Sequence, residues 1–235
     1  MDYFFVEPED VRGHELVLRG DESKHAARVL RKSAGERIFV TDGNDTMFEV
    51  VIQKISASET VCDISAIHRK YNEPAHDITL AVSLLKNPAR FDYLVEKATE
   101  LGIRSLIPLI CERTIPRKEK SERLSKIALA AMKQCGRSWC PRIQPHQQLH
   151  TLIGNSAHWP LRFIPHEKAN AGQSIQSELH HSTEQHGVLV VIGPEGGFTE
   201  HEVMFALRNG FKSVTLGTRR LRTETAAVVA LSQIM

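Results

Sequence analysis

The 235-residue chain is 41% hydrophobic and 25% charged, the mix of an ordinary globular protein with room for one large domain or two modest ones. No run of about 18 apolar residues occurs, so no membrane span is expected, and the opening MDYFFVEPED lacks the basic and long apolar regions of a secretory signal. The net charge of +2 is unevenly placed: residues 1–72 carry 10 Lys/Arg and 13 Asp/Glu, and residues 102–142 carry 10 and 3, a basic field that suits either a polyanion or a solvated helix face.

Residues 1–72 read as a small β-rich unit. Segments 15–18, 36–41, 48–55 and 60–67 are short, β-branched and partly alternating, and Asp42-Gly43-Asn44-Asp45 is a hairpin signal between two of them. Close spacing of such strands suggests a small barrel or sandwich. One helix, KHAARVLRK, interrupts them with Asp21 or Ser23 as its cap. Lys24, Arg28, Arg31 and Lys32 fall near one face, a strip that either follows a phosphate backbone or solubilises the helix. Residues 69–77 lack any regular pattern and hold Pro74, so 73–77 is the expected linker between domains 1–72 and 78–235.

From Ile78 the rhythm changes. An apolar strand at 78–85, a helix at 88–101 with Phe91, Leu94, Val95, Ala98 and Leu101 at core spacing, and a second apolar strand at 105–110 argue for a parallel α/β sheet. A helix at 119–135 ends at Gly136 and gives way to the basic turn 137–141, where Trp139 either packs or stacks on a base. After a strand at 161–164, the polar stretch 169–186 holds His180, His181 and His186, read as surface residues without metal-ligand spacing. Thr199 and Glu202 form a capping box for a helix at 200–208.

The stretch 188–230 organises the rest. Two apolar strands, 188–192 and 213–216, each run into a glycine-bearing loop, GPEGGF and GTRRLRTET, and a helix with small residues at Ala226, Ala227 and Ala230 follows. Glycines after a buried strand let a ligand lie against bare backbone. The dinucleotide and P-loop fingerprints are absent, and Pro194 removes an amide where a phosphate nest needs one. A ligand held by apolar contact and backbone groups fits better, such as adenosine with a small zwitterionic tail. Cys62, Cys111, Cys135 and Cys140 form no C-x-x-C pair and read as thiols of a reducing cytosol.

These segments are recognisable. KHAARVLR, EKATELGIRSLIPLICER at 96–113, KQCGRSWCPRI at 133–143, IGPEGGFTEHEV at 192–203 and LGTRRLRTETA at 216–226 resemble the RsmE family of 16S ribosomal RNA uracil-N3 methyltransferases, within the SPOUT superfamily. The entry to the first helix departs from the family's Lys-x-x-Arg-Met-Glu-like pattern, with Asp92 in the acidic place and Lys86 and Arg90 kept. The resemblance implies a small PUA-like β-barrel followed by a SPOUT domain, an α/β fold whose parallel sheet with flanking helices carries a deep trefoil knot. It also implies a cytoplasmic homodimer that acts on 16S rRNA of the small ribosomal subunit, without a membrane or a metal. The small-residue helix would suit close two-fold packing.

S-adenosyl-L-methionine is the implied cofactor, bound by loops 164–168, 192–198 and 216–221. Its expected contacts are Ile164, His166, Ile192, Gly193, Glu195, Gly196, Gly197, Leu216, Gly217, Leu221 and Thr223. Uracil N3 carries a proton and is a poor nucleophile while neutral. Arg222 is therefore expected to stabilise the N3 anion, with Glu224 or Glu195 orienting that arginine or accepting the proton. Thr223 and Glu224 also suit a helix N-terminus, Thr223 as the cap. Lys24, Arg28, Arg31, Lys86, Arg90, Arg113 and Arg137 are the expected RNA contacts. The competing readings are a related enzyme acting on tRNA or 23S rRNA and a non-catalytic RNA-binding assembly factor.

Overall fold

A computed structural model describes residues 2–167, 169, 172–180 and 187–235. Lys168, His181 and His186 lie outside the described residues. The contacts divide the chain into two compact units, Met1–Glu73 with Leu129–Cys140, and Pro74–Ala128 with Pro141–Met235.

The first unit is a six-stranded sheet built from β1 (Tyr3–Phe5), β2 (Val11–Arg12), β3 (Glu15–Arg19), β4 (Arg37–Thr41), β5 (Thr46–Ile55) and β6 (Glu59–Arg69), in the order β1-β4-β5-β6-β3-β2. Among the described residues of this sheet, only the β1–β4 pair is parallel. Period-two alternation puts Leu16, Leu18, Ile38, Val40, Val50 and Ile52 on one buried face with Phe4. Register shifts at Glu49/Val50 and Ile52/Lys54 bend β5 so that the sheet curls around this core. The β4–β5 turn is held by Asp42, whose Oδ1 accepts from the N–H groups of Asn44 and Thr46 at 2.8 and 3.2 Å.

The expected continuous helix through KHAARVLRK is two short pieces: α1 (Gly20–Lys24), then one π turn over His25–Val29. Neither Asp21 nor Ser23 caps it. The helix starts at Gly20 after Arg19, and Ser23 is buried against Thr60 Oγ1 and Ser56 O, both at 2.7 Å. The π turn widens the spiral and Arg31 leaves it at φ +51°, so the basic residues do not form one straight α-helical strip.

Composition assigns 129–140 to the second domain; the fold packs it into the first unit. The cause is Glu73. Its carboxylate accepts from Arg137 Nη2 at 2.5 Å and from the N–H groups of Ser138 and Trp139 at 3.0 and 2.9 Å, and both charged side chains are almost fully buried. A residue expected in a linker is thus an anchor.

The second unit runs β7 (Ile78–Ser83), α2 (Pro88–Glu100), β8 (Ile103–Ile110), α3 (Ser121–Cys135, its last turns in the first unit), β9 (Arg142–Ile143), β10 (Gln147–Gln148), α4 (Leu149–Gly154), β11 (Leu161–Pro165), α5 (Ile175–His180), β12 (Val188–Ile192), α6 (Glu200–Arg208), β13 (Lys212–Val214) and α7 (Thr223–Ser232). Its sheet is parallel throughout, ordered β10-β8-β7-β12-β11-β13, with β9 also on β8. Every residue of β7 and β12 is buried, which is why β12 reads as an unbroken apolar run and β7 as a largely apolar one, with its hydroxyls Thr79 and Ser83 also buried. Ile78, Leu80, Val82, Val188, Val190 and Ile192 pack under α2, α3 and α7. Ala81, Leu189, Val191 and Ile164 pack under α4 and α6 on the opposite face.

Helix ends follow local chemistry. Asn87 Oδ1 accepts from Ala89 N–H at 2.9 Å, with Pro88 in the first turn of α2. Gly102 ends that helix at φ +86°, where a Cβ would lie 2.8 Å from the Pro74 ring, so only glycine fits. Thr199 and Glu202 form the expected capping box of α6. The small residues Ala227 and Ala230 of α7 are buried in this unit's own core, not left open for a partner.

Candidate active site

β12, β11 and β13 lie side by side and parallel, so the loops that leave them, at 193–198, 165–167 and 215–222, emerge together at the C-terminal edge of the sheet. They line an open pocket of about 920 Å³.

Glycine shapes both main loops. In the first, a Cβ on Gly193 would meet the Phe198 ring at 3.2 Å, and Gly197 turns the chain at φ +68° with its N–H on Pro194 O at 2.8 Å. In the second, Gly217 has φ +105°. The two loops are tied: Thr223 Oγ1 donates to Gly193 O at 3.1 Å. Thr223 is therefore a clasp between loops. The helix cap is the backbone of Arg222, which makes no side-chain cap bond.

The pocket walls mix apolar and charged groups. Ile192 and Phe198 are buried, and Leu216 and Leu221 are half-buried. Arg90 reaches in from α2 and forks onto Glu224, Nε to Oε1 at 2.9 Å and Nη2 to Oε2 at 2.5 Å, with Nη1 3.7 Å from Glu195. Burial pushes the Glu224 pKa up, but the Arg90 hydrogen bonds and charge outweigh it and hold the carboxyl below its usual value. The same hydrogen bonds raise the Arg90 pKa. Glu195 Oε1 also accepts from the Lys86 N–H at 3.3 Å. Arg113 donates to Gly196 O at 2.8 Å.

Most residues expected to surround a cofactor meet here: His166, Ile192, Gly193, Glu195, Gly196, Gly197, Leu216, Gly217, Leu221 and Thr223 all line the pocket, as do Arg222 and Glu224's partner Arg90. Ile164 does not. The alternation of β11 turns it into the core under α4 and α6, and its neighbours Pro165, His166 and Glu167 take the wall instead.

Glu224 forks onto Arg90 and, among the described residues, makes no hydrogen bond to Arg222, whose charge it only feels. Arg90 is correspondingly a pocket residue rather than an open RNA contact. Arg137 is 2% exposed and held by Glu73, so it cannot reach a phosphate. Trp139 is 8% exposed and packs rather than stacks on a base. Arg28, Arg31, Lys86 and Arg113 are exposed, as is Lys24, 3.2 Å from Asp21, whereas Lys32 is spent on Asp2 and Glu36.

The Arg90–Glu224–Glu195 group escapes sequence reading because Arg90 stands 134 residues from Glu224 and 105 from Glu195, beyond any local spacing rule. Among the described residues, no three His, Cys, Asp or Glu side chains group as a metal site, and no helix is long and apolar enough to cross a membrane.

The model of an RNA methyltransferase domain matches residues 72–235, and that of an RNA methyltransferase PUA domain matches 18–65. Ribosomal RNA small subunit methyltransferase E of Aquifex aeolicus is 33% identical over 232 residues, covering 97% of this chain and 96% of its own length. The chain belongs to the ribosomal RNA small subunit methyltransferase E family. The family member of Bacillus subtilis is 28% identical over 229 residues, covering 92% and 88%. The crystal structure of methyltransferase E from Neisseria gonorrhoeae, bound to S-adenosyl methionine, superposes with a TM-score of 0.82 at 28% identity over 99% of this chain and 95% of that one.

Proposed function

We propose that this protein transfers a methyl group from S-adenosyl-L-methionine to N3 of a uridine in the 16S rRNA of the small ribosomal subunit. The observation that carries the reading is the convergence of three strand-end loops on one pocket that also presents the exposed Arg222. The pocket suits the cofactor. Cβ atoms on Gly197 and Gly217 would meet no protein atom within 4 Å, so bare backbone faces open space there. Ile192, Leu216 and Leu221 supply apolar walls for adenine, and backbone groups near Gly193, Gly196, Gly197 and Gly217 supply partners for its edge and the ribose. When bound, the cofactor supplies an electrophilic methyl group on its sulfonium.

The chain's own residues make uracil N3 reactive. Arg222 stabilises the charge that spreads onto O2 and O4 as the N3 proton leaves, since guanidinium is always charged and forks onto planar acceptors. Glu195, a pocket carboxylate 3.7 Å from Arg90 and not forked onto it, takes that proton. Glu224 stays ionised and positions Arg90. Holding the base in line with the methyl group supplies much of the remaining rate gain.

Lys24, Arg28, Arg31, Lys86 and Arg113 carry the RNA backbone in this reading. The protein works in the cytoplasm as a homodimer, for which Met204 and Leu207, 49% and 37% exposed on α6, offer apolar surface. Its C-terminal segment threads a knot. Two bonds support that path: Thr215 N–H donates to the backbone Gln173 O at 2.7 Å and Ile175 N–H donates to the side-chain Gln233 Oε1 at 3.0 Å, tying the 173–175 segment to the final strand and helix.

Reverse transcription of 16S rRNA from a deletion strain tests the reading, because N3 methylation blocks the Watson–Crick edge. Loss of a stop in the mutant assigns substrate and atom together. A retained 16S stop with a lost one in tRNA or 23S rRNA moves the substrate, and absence of S-adenosylmethionine binding by calorimetry makes the protein a non-catalytic assembly factor.

A further inference from the structure

The loop between β13 and α7 is fixed at both ends, by Thr215 on Gln173 and by Thr223 on Gly193. Between those ties, Leu216 and Leu221 are half-buried while Arg219, Arg220 and Arg222 are exposed on the pocket wall. The other pocket arginines are already engaged, Arg90 with Glu224 and Glu195, and Arg113 with Gly196 O. None of the three loop arginines has a hydrogen bond or salt bridge to its guanidinium among the described residues, although Arg222 lies in the field of Glu224. The remaining acid on the wall is the exposed Glu167.

Three guanidinium groups in four positions, held on a fixed loop without partners, repel one another and favour an anion. S-adenosylmethionine does not meet that demand, for its single carboxylate is outweighed by a sulfonium and an ammonium. A polynucleotide does, with one negative charge per nucleotide. Resting on the methyltransferase reading above, we infer that Arg219 and Arg220 grip the phosphates flanking the target nucleotide while Arg222 meets its base. The substrate is then a nucleotide splayed out of a single-stranded or opened segment, since a base stacked inside a duplex keeps its N3 edge paired and away from the pocket.

The test compares wild type, Arg219→Gln/Arg220→Gln and Arg219→Lys/Arg220→Lys for binding to small-subunit ribosomal RNA transcribed in vitro, across roughly 50 to 200 mM salt. With two single-strand phosphate contacts removed, the Gln variant's slope of log K against log salt should fall by about 1.4, a loss of roughly 25-fold in affinity at 0.1 M salt. The Lys variant, which keeps the charge, should keep the slope. Calorimetry with S-adenosylmethionine should give all three proteins affinities within about twofold, which also shows that the Gln variant is folded. An unchanged RNA slope in the Gln variant overturns the inference and leaves the methyltransferase reading standing. Loss of cofactor affinity with the RNA slope intact overturns it too and assigns the arginines to the cofactor. Wild-type protein that does not bind S-adenosylmethionine removes the underlying reading itself.

Discussion

Arg90 and Glu224 meet across 134 residues of sequence in a forked ion pair, with Nε to Oε1 at 2.9 Å and Nη2 to Oε2 at 2.5 Å. One end sits in the first helix of the second unit and the other in the first turn of its last helix, so the pair braces the pocket from two directions. Arg90→Gln should take from a largely buried carboxylate its forked counter-charge, and the Glu224 pKa should rise as burial loses its largest opponent. The sign follows from linkage. In wild type the depressed pKa contributes stability above the ordinary carboxylate value of about 4.3, and that contribution is lost as pH falls through the folded pKa. Arg90→Gln should be less stable than wild type at pH 7, with the gap closing as pH falls below about 4.3. Thermal melts at a series of pH values measure it; a gap independent of pH would deny the pair its electrostatic role.

Arg222 caps the last helix through its backbone alone, so Arg222→Ala removes a guanidinium from the pocket without removing a cap. The expected result is a fall in kcat of about 10²–10³-fold, the range for losing one oxyanion-type donor, with cofactor affinity nearly intact. Single-turnover methylation beside calorimetry separates the two quantities. Equal loss of both would make Arg222 a structural residue.

Glu73 is the cheapest place to unfasten the 129–140 segment. Its carboxylate is 2% exposed and serves the Arg137 guanidinium as well as two backbone N–H groups. Glu73→Ala strands a buried arginine, and loss of one member of such a pair costs about 3–5 kcal/mol. The double change Glu73→Leu/Arg137→Met should cost less than Glu73→Ala, because no charge is left unpaired. Urea unfolding midpoints of the two variants decide it.

Burial pushes the thiol pKa of Cys62 and of Cys111 up to about 12, and that of Cys140 to about 11. A thiol needs its thiolate form to react, so these three should resist a disulfide reagent at pH 8 in the folded protein and react once it is unfolded. Rapid native labelling of any of them would contradict the packing around it.

The local rules were legible without coordinates. Largely apolar runs announced β7 and β12, because a strand covered on both faces has no solvent side to alternate with. Thr199 and Glu202 announced the start of α6, because a capping box is made within one turn. The two glycine loops announced the pocket, because strained or tight backbone calls for a missing side chain whatever the fold around it.

What the sequence could not decide was partnership at a distance. Arg90 and Arg137 look alike on the page, yet one braces the pocket and the other is buried on Glu73. The KHAARVLRK segment has α-helical spacing, yet it widens into a π turn, and Ser23 just before it packs onto Thr60 instead of capping it. Ile164 stands next to a pocket loop and faces the opposite way, since a strand turns each side chain through half a revolution. A charge's role depends on which opposite charge or backbone amide lies within about 3 Å of it. Only the tertiary fold brings residues 64 and 134 positions apart to that distance, and so only the fold separated the arginines that hold the protein together from those left to hold a substrate.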